Sequence, residues 1–479
     1  MQQAREFYIN GAWVAAQSGD SLPVIDPATE EPFAEIALGG QADTDAAVAA
    51  ARAAFDGWAY SDPRERLALV QRILDLYKAR AEDMAQAISH EMGAPIDYAR
   101  SAQVPAGSWH IGNFIKAFEQ IAFTAPLGDH APDDRIIKEA VGVCALITPW
   151  NWPMNQVTLK TIPALLAGCT MVLKPSEVAP MSSLLFAEIL DEAGVPAGVF
   201  NLVNGDGVGV GSQLSAHPDI DMVSFTGSTR AGIAISKSAA ETLKRVHLEL
   251  GGKGANIVFA DADEDAVRRG AQHCFNNAGQ SCNAPTRMLV QRDVYDRAVE
   301  AAREQAEATR VGPSSEPGKH IGPVVSAAQF DKVQDLIQKG IDEGARLVAG
   351  GSGRPEGMNR GYFVRPTVFA DVNNAMTIAR EEIFGPVLSI IPFSDEAEAL
   401  AIANDTVYGL TNYVQSQDDA KRQRMARRLR SGMVEMNGKS RGAGSPFGGM
   451  KQSGNGREGG VWGIEDFLEV KAVSGWGAD

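Results

Sequence analysis

Apolar and polar positions along the chain fall into two alternating series. After a short β-like N-terminal region, residues 43–58 and 63–92 carry the apolar spacing of helices, the second with Pro63 near its start and Gly93 at its end. From residue 141 the pattern changes to short β-rich runs: VGVCALIT (141–148), TMVLK (170–174), VFNLV (199–203), DMVSFT (221–226) and VHLEL (246–250), with helical segments between them. A second series begins at ANIVF (255–259) and continues through RMLVQ (287–291), ARLVAG (345–350) and VLSIIPF (387–393). Strands separated by helices of this length predict βαβ crossovers and a parallel, doubly wound sheet, which takes ligands beyond the carboxyl ends of its strands. The glycines of LELGGKGAN, between the two series, suit a crossover from one lobe to the other and a cleft at the junction.

Length supports the two-lobe reading, because 479 residues exceed the roughly 250 to 300 at which a single core stops growing. Apolar residues at 44% and charged residues at 22% indicate an ordinary globular protein. A formal charge of −16 disfavours nucleic acid and anionic lipid surfaces as partners. The N-terminus lacks a basic segment followed by an apolar run, and no stretch approaches the roughly 18 apolar residues of a membrane helix, so a cytoplasmic location is expected. Four cysteines, without a CxxC pair or a His cluster at ligand spacing, suit a reducing compartment and predict no metal. Cys144 and Cys169 lie in apolar runs and read as small buried hydrophobes, whereas Cys282 lies in a polar stretch.

Candidate chemistry collects at the predicted strand ends. GDGVGVG, with glycines 205, 207 and 211, is one residue longer than a dinucleotide fingerprint and reads equally as a tight strand-to-helix turn. In FTGSTRAG, Gly227 and Ser228 stand where a helix begins, either as an anion site or as a simple cap. Lys174 and Glu177 of LKPSE lie where a nucleotide ribose would sit. A carboxylate there accepts ribose hydroxyls and repels a 2′-phosphate, favouring NAD over NADP, although a solvated surface pair is the alternative. FNNAGQSCNA presents Cys282 as a nucleophile or an inert loop thiol. Glu249, between Leu248 and Leu250, is a general base with a raised pKa or a buried, satisfied carboxylate; Asn151 in ITPWNWP is an amide donor at the cleft or a turn former.

Taken together, ITPWNWP, LKPSE, FTGST, LELGGK, FNNAGQSC, EEIFGPVL and SPFGGMKQSGNGRE resemble, in order and approximate spacing, the aldehyde dehydrogenase superfamily over nearly the whole chain. The resemblance implies an α/β fold with a Rossmann-like cofactor lobe (residues 1–120 and 141–249), an α/β catalytic lobe (250–445) and a small β oligomerisation hairpin with the C-terminal segment (121–140 and 446–479), giving homodimers or homotetramers. It makes Cys282 the nucleophile, Glu249 the general base, and Asn151 with the Cys282 backbone N–H the oxyanion hole. It assigns Lys174 and Glu177 to the adenosine ribose, Gly227 and Ser228 to the pyrophosphate, Glu382 to the nicotinamide ribose, and Phe384 and Trp150 to the cofactor surroundings. The implied reaction is NAD-dependent oxidation of an aldehyde to an acid through a Cys282 thioester hydrolysed with help from Glu249. Ser281 and Arg230 occupy positions that the family varies, and Glu249 argues against transfer of the acyl group to coenzyme A.

Substrate choice rests on the access tunnel, where Lys439, Arg441 and Phe447 are expected at the mouth and Trp152 and Leu159 in the wall. Arg441 either attracts the distal carboxylate of an ω-oxo acid (a semialdehyde) or points into solvent, so an aliphatic aldehyde or an ω-oxo acid is expected. Two rivals remain open: a catalytically idle binding or structural protein on the same fold, and a cofactor-independent thiol esterase.

Overall fold

The computed structural model describes residues 4–477. Its first seven-stranded sheet runs, across the sheet, Arg245–Glu249, Met222–Thr226, Val143–Ile147, Thr170–Lys174, Phe200–Leu202, Glu6–Ile9 and Ala12–Ala15. The first five are mutually parallel and the last two are antiparallel additions. Every residue of Val143–Ile147 and Thr170–Lys174 is buried, as expected where helices cover both faces of a parallel sheet. Side chains of successive residues leave opposite faces. Val143, Ala145 and Ile147 therefore meet Ala47, Val48 and Ala51 of helix Gln41–Ala59, while Cys144 and Leu146 meet Met154, Val157 and Leu166 of helix Pro153–Ala167. Cys144 and Cys169 are fully buried in this packing.

A second seven-stranded sheet contains Arg346–Ala349, Thr367–Ala370, Val387–Phe393, Arg287–Gln291, Ala255–Val258, Thr411–Gln415 and Met433–Met436 in that order, parallel except at its first strand. Two of its strands carry polar residues that mask them in the sequence. In Thr411–Gln415 all five residues are buried because hydrogen bonds satisfy the polar ones: the Asn412 Oδ1 accepts from the Ala255 N–H at 2.9 Å and its Nδ2 donates to Ser431 Oγ at 3.0 Å. The N-terminal β-like region resolves into two hairpins, the second pairing Ser21–Asp26 with Glu31–Ala37. The helix expected over 63–92 is two helices, Pro63–Ala79 and Ala81–Met92, broken at Arg80, whose guanidinium binds Asp83 at 2.7 Å and Glu188 at 3.3 Å.

A three-stranded antiparallel sheet, Leu468–Val473, Arg135–Ala140 and Thr124–Pro126, stands outside both. No helix among the described residues is long and apolar enough to cross a membrane.

Candidate active site

Parallel register brings the expected site residues to one edge. Thr226 pairs with Glu249, Phe225 with Ile147, and Ile147 with Lys174, so the chain leaving these neighbouring strands carries Trp150, Asn151, Glu177, Gly227 and Ser228 along a single rim. The Gly227 N–H donates to the Glu249 carbonyl at 3.0 Å. Ser228 caps helix Thr229–Ala239, its Oγ accepting from the Ala231 N–H, and the other first-turn N–H groups have no partner within the helix. Lys174 and Glu177 form a 2.8 Å ion pair in which the lysine is almost wholly buried, unlike a solvated surface pair. GDGVGVG is a self-capped turn: Asp206 Oδ1 accepts from the Gly209 N–H at 2.5 Å, and the α-helix after it has only five residues.

The cysteine loop is held against its own backbone preference. Asn277 and Ala278 both have φ of 55°, followed by Gly279 at 75°. An alanine there costs about 1–2 kcal/mol, which the surroundings must offset. Gln103 Nε2 donates to Asn277 Oδ1 at 3.1 Å; Asn277 Nδ2 donates to the carbonyls of Asn151 at 3.0 Å and Gln280 at 3.1 Å; Asn151 Nδ2 donates to the Gln280 carbonyl at 3.0 Å. A Cβ on Gly279 would lie 2.1 Å from the Gly385 backbone, so only glycine permits the loop to abut Phe384–Gly385–Pro386. Phe384 is itself left-handed, at φ 59°, with its carbonyl taken by Gln329 Nε2 at 2.8 Å, and its ring meets Trp150 edge-on at 5.4 Å.

Cys282 is the one cysteine of the four that is not buried. Its thiol is nonetheless pushed up to about 12, first by desolvation and then by the carboxylates of Glu382 and Glu249, with Arg441 opposing. Glu249 is held well above the usual carboxylate range by burial and by Glu458, against Lys160, Arg457 and Arg441. Neither Glu249 oxygen has a hydrogen-bond partner among the described residues. A neutral thiol and a proton-avid carboxyl thus share one desolvated region.

Cys282 lines a cavity of about 380 Å³ with Trp152, Leu159, Arg441, Phe447, Trp109 and His110. A larger surface recess of about 610 Å³ beside Arg5, Phe33 and His90 is lined by no cysteine, serine or threonine among the described residues. Trp152 Nε1 donates to Ser281 Oγ at 2.8 Å, tying the wall to the nucleophile's neighbour. Lys439 is exposed and adjoins Ser440 and Arg441, which line the cavity. Arg441 does line it, with Nε donating to Glu435 Oε1 at 3.0 Å and the guanidinium 4.7 Å from the centre of the Phe447 ring.

Several residues of the site escape sequence reading. Gln103, Asn277, Lys160, His247 and Glu458 act through partners far along the chain. The one available signal is Lys160, a lone charge in the apolar run of helix Pro153–Ala167, which is fully buried and pairs with Glu458 at 2.7 Å.

The strand edge fits a dinucleotide. It offers a helix N-terminus for an anion, the Glu177 carboxylate for hydroxyls, and the half-buried Glu382, whose Oε1 accepts from the Gly252 N–H at 2.9 Å. Thr226 Oγ1 is buried there without a hydrogen-bond partner among the described residues. A Cβ at Gly251 would lie 2.2 Å from Glu382, so glycine is needed for that approach.

Comparison with known proteins agrees with this geometry. Residues 13–473 match the model of the aldehyde dehydrogenase family. The chain is 51% identical over 478 residues, covering 99% of each sequence, to 3-succinoylsemialdehyde-pyridine dehydrogenase of a Pseudomonas species. It superposes with a TM-score of 0.97 on an aldehyde dehydrogenase of Bartonella henselae, 63% identical, covering 98% of this chain and 99% of that one. The TM-score is also 0.97 against a cysteine-to-alanine variant of an aldehyde dehydrogenase from Pseudomonas syringae in complex with NAD+ and octanal, 50% identical, covering 100% of this chain and 98% of that one. The chain therefore belongs to the aldehyde dehydrogenase family.

Proposed function

We propose that this protein oxidises an aliphatic aldehyde to its carboxylic acid with NAD, through a thioester on Cys282. The observation that carries the reading is the placement of Cys282, half-buried after a strained turn and lining a cavity, within the electrostatic reach of the proton-avid Glu249, whose carboxyl has no hydrogen-bond partner among the described residues. As its proton leaves, the Cys282 sulfur attacks the carbonyl carbon. Asn151 has committed one amide hydrogen to the Gln280 carbonyl, which leaves its second for the oxyanion together with the Cys282 N–H. Lys174, Glu177, Gly227, Ser228 and Glu382, with Trp150 and Phe384 alongside, would hold NAD along the strand edge, where it would supply the hydride acceptor for oxidation to the thioester. Glu249 then takes a proton from the water that hydrolyses the thioester, releasing the acid and the Cys282 thiol.

Trp109, Trp152, Leu159 and Phe447 give the tunnel an apolar wall, and Glu435 offsets the charge of Arg441. That lining supports a neutral alkanal or aryl-substituted aldehyde, in keeping with the semialdehyde and octanal named for two relatives. An ω-oxo acid is a second reading, since Arg441 uses only Nε toward Glu435 and keeps its terminal N–H groups for a carboxylate. The outlying three-stranded sheet supports assembly into homodimers or homotetramers: its edge strand Leu468–Val473 leaves Val470 67% exposed.

The test is NADH absorbance on mixing the protein with NAD and a panel of alkanals, aryl aldehydes and ω-oxo acids, with Cys282→Ser alongside. Turnover that disappears in the variant is expected. A folded wild-type protein inactive on every aldehyde would move the assignment to a binding role, and ester cleavage without NAD as its only activity would move it to a thiol esterase.

A further inference from the structure

Two helices meet over the Cys282 cavity, and each lines it with a stripe of side chains. Ala106, Trp109, His110 and Asn113 stand at helical spacing on Val104–Phe118; Trp152, Asn155, Gln156 and Leu159 repeat that spacing at the start of Pro153–Ala167. His110 Nε2 donates to Asn155 Oδ1 at 2.8 Å and ties the stripes together. A Cβ on Gly107 would lie 3.3 Å from Met154 Cβ, so the backbones also approach closely beside that bond. Exposure falls along the first stripe from 47% at Trp109 to 9% at Asn113, which puts Trp109 at the rim and Asn113 in the depth of the cavity. Gln156 is 4% exposed. Asn113 Nδ2 and Gln156 Oε1 are both buried without a hydrogen-bond partner among the described residues. Leu or Met would fill either position without that desolvation cost, so the two amides are unfavourable for folding alone and call for a polar group from outside the chain.

We propose that Asn113 and Gln156 form a subsite for a hydroxyl group on the carbon chain of the aldehyde, an inference that rests on the dehydrogenase reading of Cys282 and narrows its substrate to a neutral hydroxyaldehyde. A hydroxyl donates and accepts through one oxygen, so it can take a hydrogen bond from Asn113 Nδ2 and give one to Gln156 Oε1. Each amide turns end for end about its last torsion, and no partner within the protein holds Asn113 Nδ2 or Gln156 Oε1 against that turn among the described residues. An unsubstituted alkyl chain in the same place leaves both amides unpaired, which is how a buried polar site rejects the analogue that lacks its partner. The surroundings are uncharged. Burial pushes the His110 imidazole down to about 4 despite its bond to Asn155, so it is neutral at physiological pH and offers no cation to a carboxylate. Arg441 is engaged elsewhere, with Glu435 and the Phe447 ring. Trp152 and Leu159, on the same stripe as Gln156, pack the apolar part of the chain.

The experiment measures kcat and KM from NADH formation for wild type, Gln156→Met and Asn113→Leu, with octanal, nonanal, and octanals hydroxylated at the terminal carbon or at either of the two carbons before it. Nonanal matches the terminal hydroxyoctanal in size, with a methyl in place of the hydroxyl. In wild type at least one hydroxyoctanal is expected to exceed both alkanals in kcat/KM by about tenfold or more, chiefly through KM. Gln156→Met and Asn113→Leu are each expected to lower the value for that hydroxyoctanal by about tenfold and to raise the value for octanal, because an apolar side chain replaces an unpaired amide. Either variant carries the test if the other fails to fold. Hydroxyoctanals no better than nonanal in wild type overturn the subsite and leave the dehydrogenase reading standing. A hydroxyl preference that survives both substitutions also overturns it, as does an equal fall for hydroxyoctanal and octanal, the mark of a purely structural role. No NADH from any aldehyde sinks the reading of Cys282 and the subsite with it.

Discussion

Glu435 Oε1 accepts a hydrogen bond from Arg441 Nε at 3.0 Å beside the cavity that Cys282 lines. Glu435 is the more buried partner, with a side chain 12% exposed against 30% for Arg441, so this carboxylate moderates a cation that would otherwise govern the mouth. Replacing Glu435 by Gln is expected to raise kcat/KM for an ω-oxo acid relative to octanal by about tenfold, equivalent to about 1.4 kcal/mol. Arg441→Ala is expected to leave octanal oxidation within about threefold of wild type, an effect below about 1 kcal/mol. An unchanged ratio in Glu435→Gln would show that Arg441 does not read the distal end of the substrate.

The Cys282 thiol, pushed up to about 12 in the protein without cofactor, carries little thiolate at neutral pH. Its alkylation by iodoacetamide should therefore climb about tenfold for each pH unit between pH 7 and 9, because only the thiolate reacts. A plateau below pH 9 would mean that an unshifted or acidified thiol sits in the loop.

Glu177 pairs with Lys174 at the strand edge, where the carboxylate disfavours a 2′-phosphate. Glu177→Ser is expected to raise kcat/KM with NADP relative to NAD by about tenfold or more, mostly through KM. Initial rates with the two cofactors check it, and an unaltered preference would place the ribose elsewhere.

Glu91 tests stability apart from catalysis. Its carboxyl is buried and accepts from the N–H groups of Met181, at 2.5 Å, and Ser182, at the start of helix Met181–Glu192. Removing it in Glu91→Ala leaves those donors unpaired and should cost about 1–3 kcal/mol. Burial raises the group from 4.5 to about 7, so the folded state holds the proton more tightly than the unfolded one. The stability it contributes is full below 4.5 and falls as pH rises toward 7, then levels off. Relative to Glu91→Gln, the urea midpoint of wild type should decline from pH 5 to 7; parallel curves would contradict the shift.

Much of the fold is readable because its signals are local. The buried runs TMVLK and VLSIIPF become strands Thr170–Lys174 and Val387–Phe393 with the expected bounds. Thr411–Gln415 is not readable, since TNYVQ looks polar until Ser431 and Ala255 satisfy Asn412. The break at Arg80 is likewise hidden, because its partners include Glu188, which only tertiary packing brings near. Lys439 and Arg441 lie two residues apart in one glycine-rich loop, and the sequence has no means of deciding that one lines the cavity and the other faces solvent.

By itself the sequence determined the alternation of strands and helices and the family, through segments whose meaning lies in adjacent residues. It also marked Cys282 as the cysteine set in polar surroundings. The tertiary structure alone decided the environment of those residues: Gln103 on Asn277, Glu458 on Lys160 and Asp466 on His247. The physical reason is range. Periodicity and turn chemistry act over a few residues, whereas desolvation and charge depend on groups brought together in space, such as the pair His247 and Asp466, 219 positions apart.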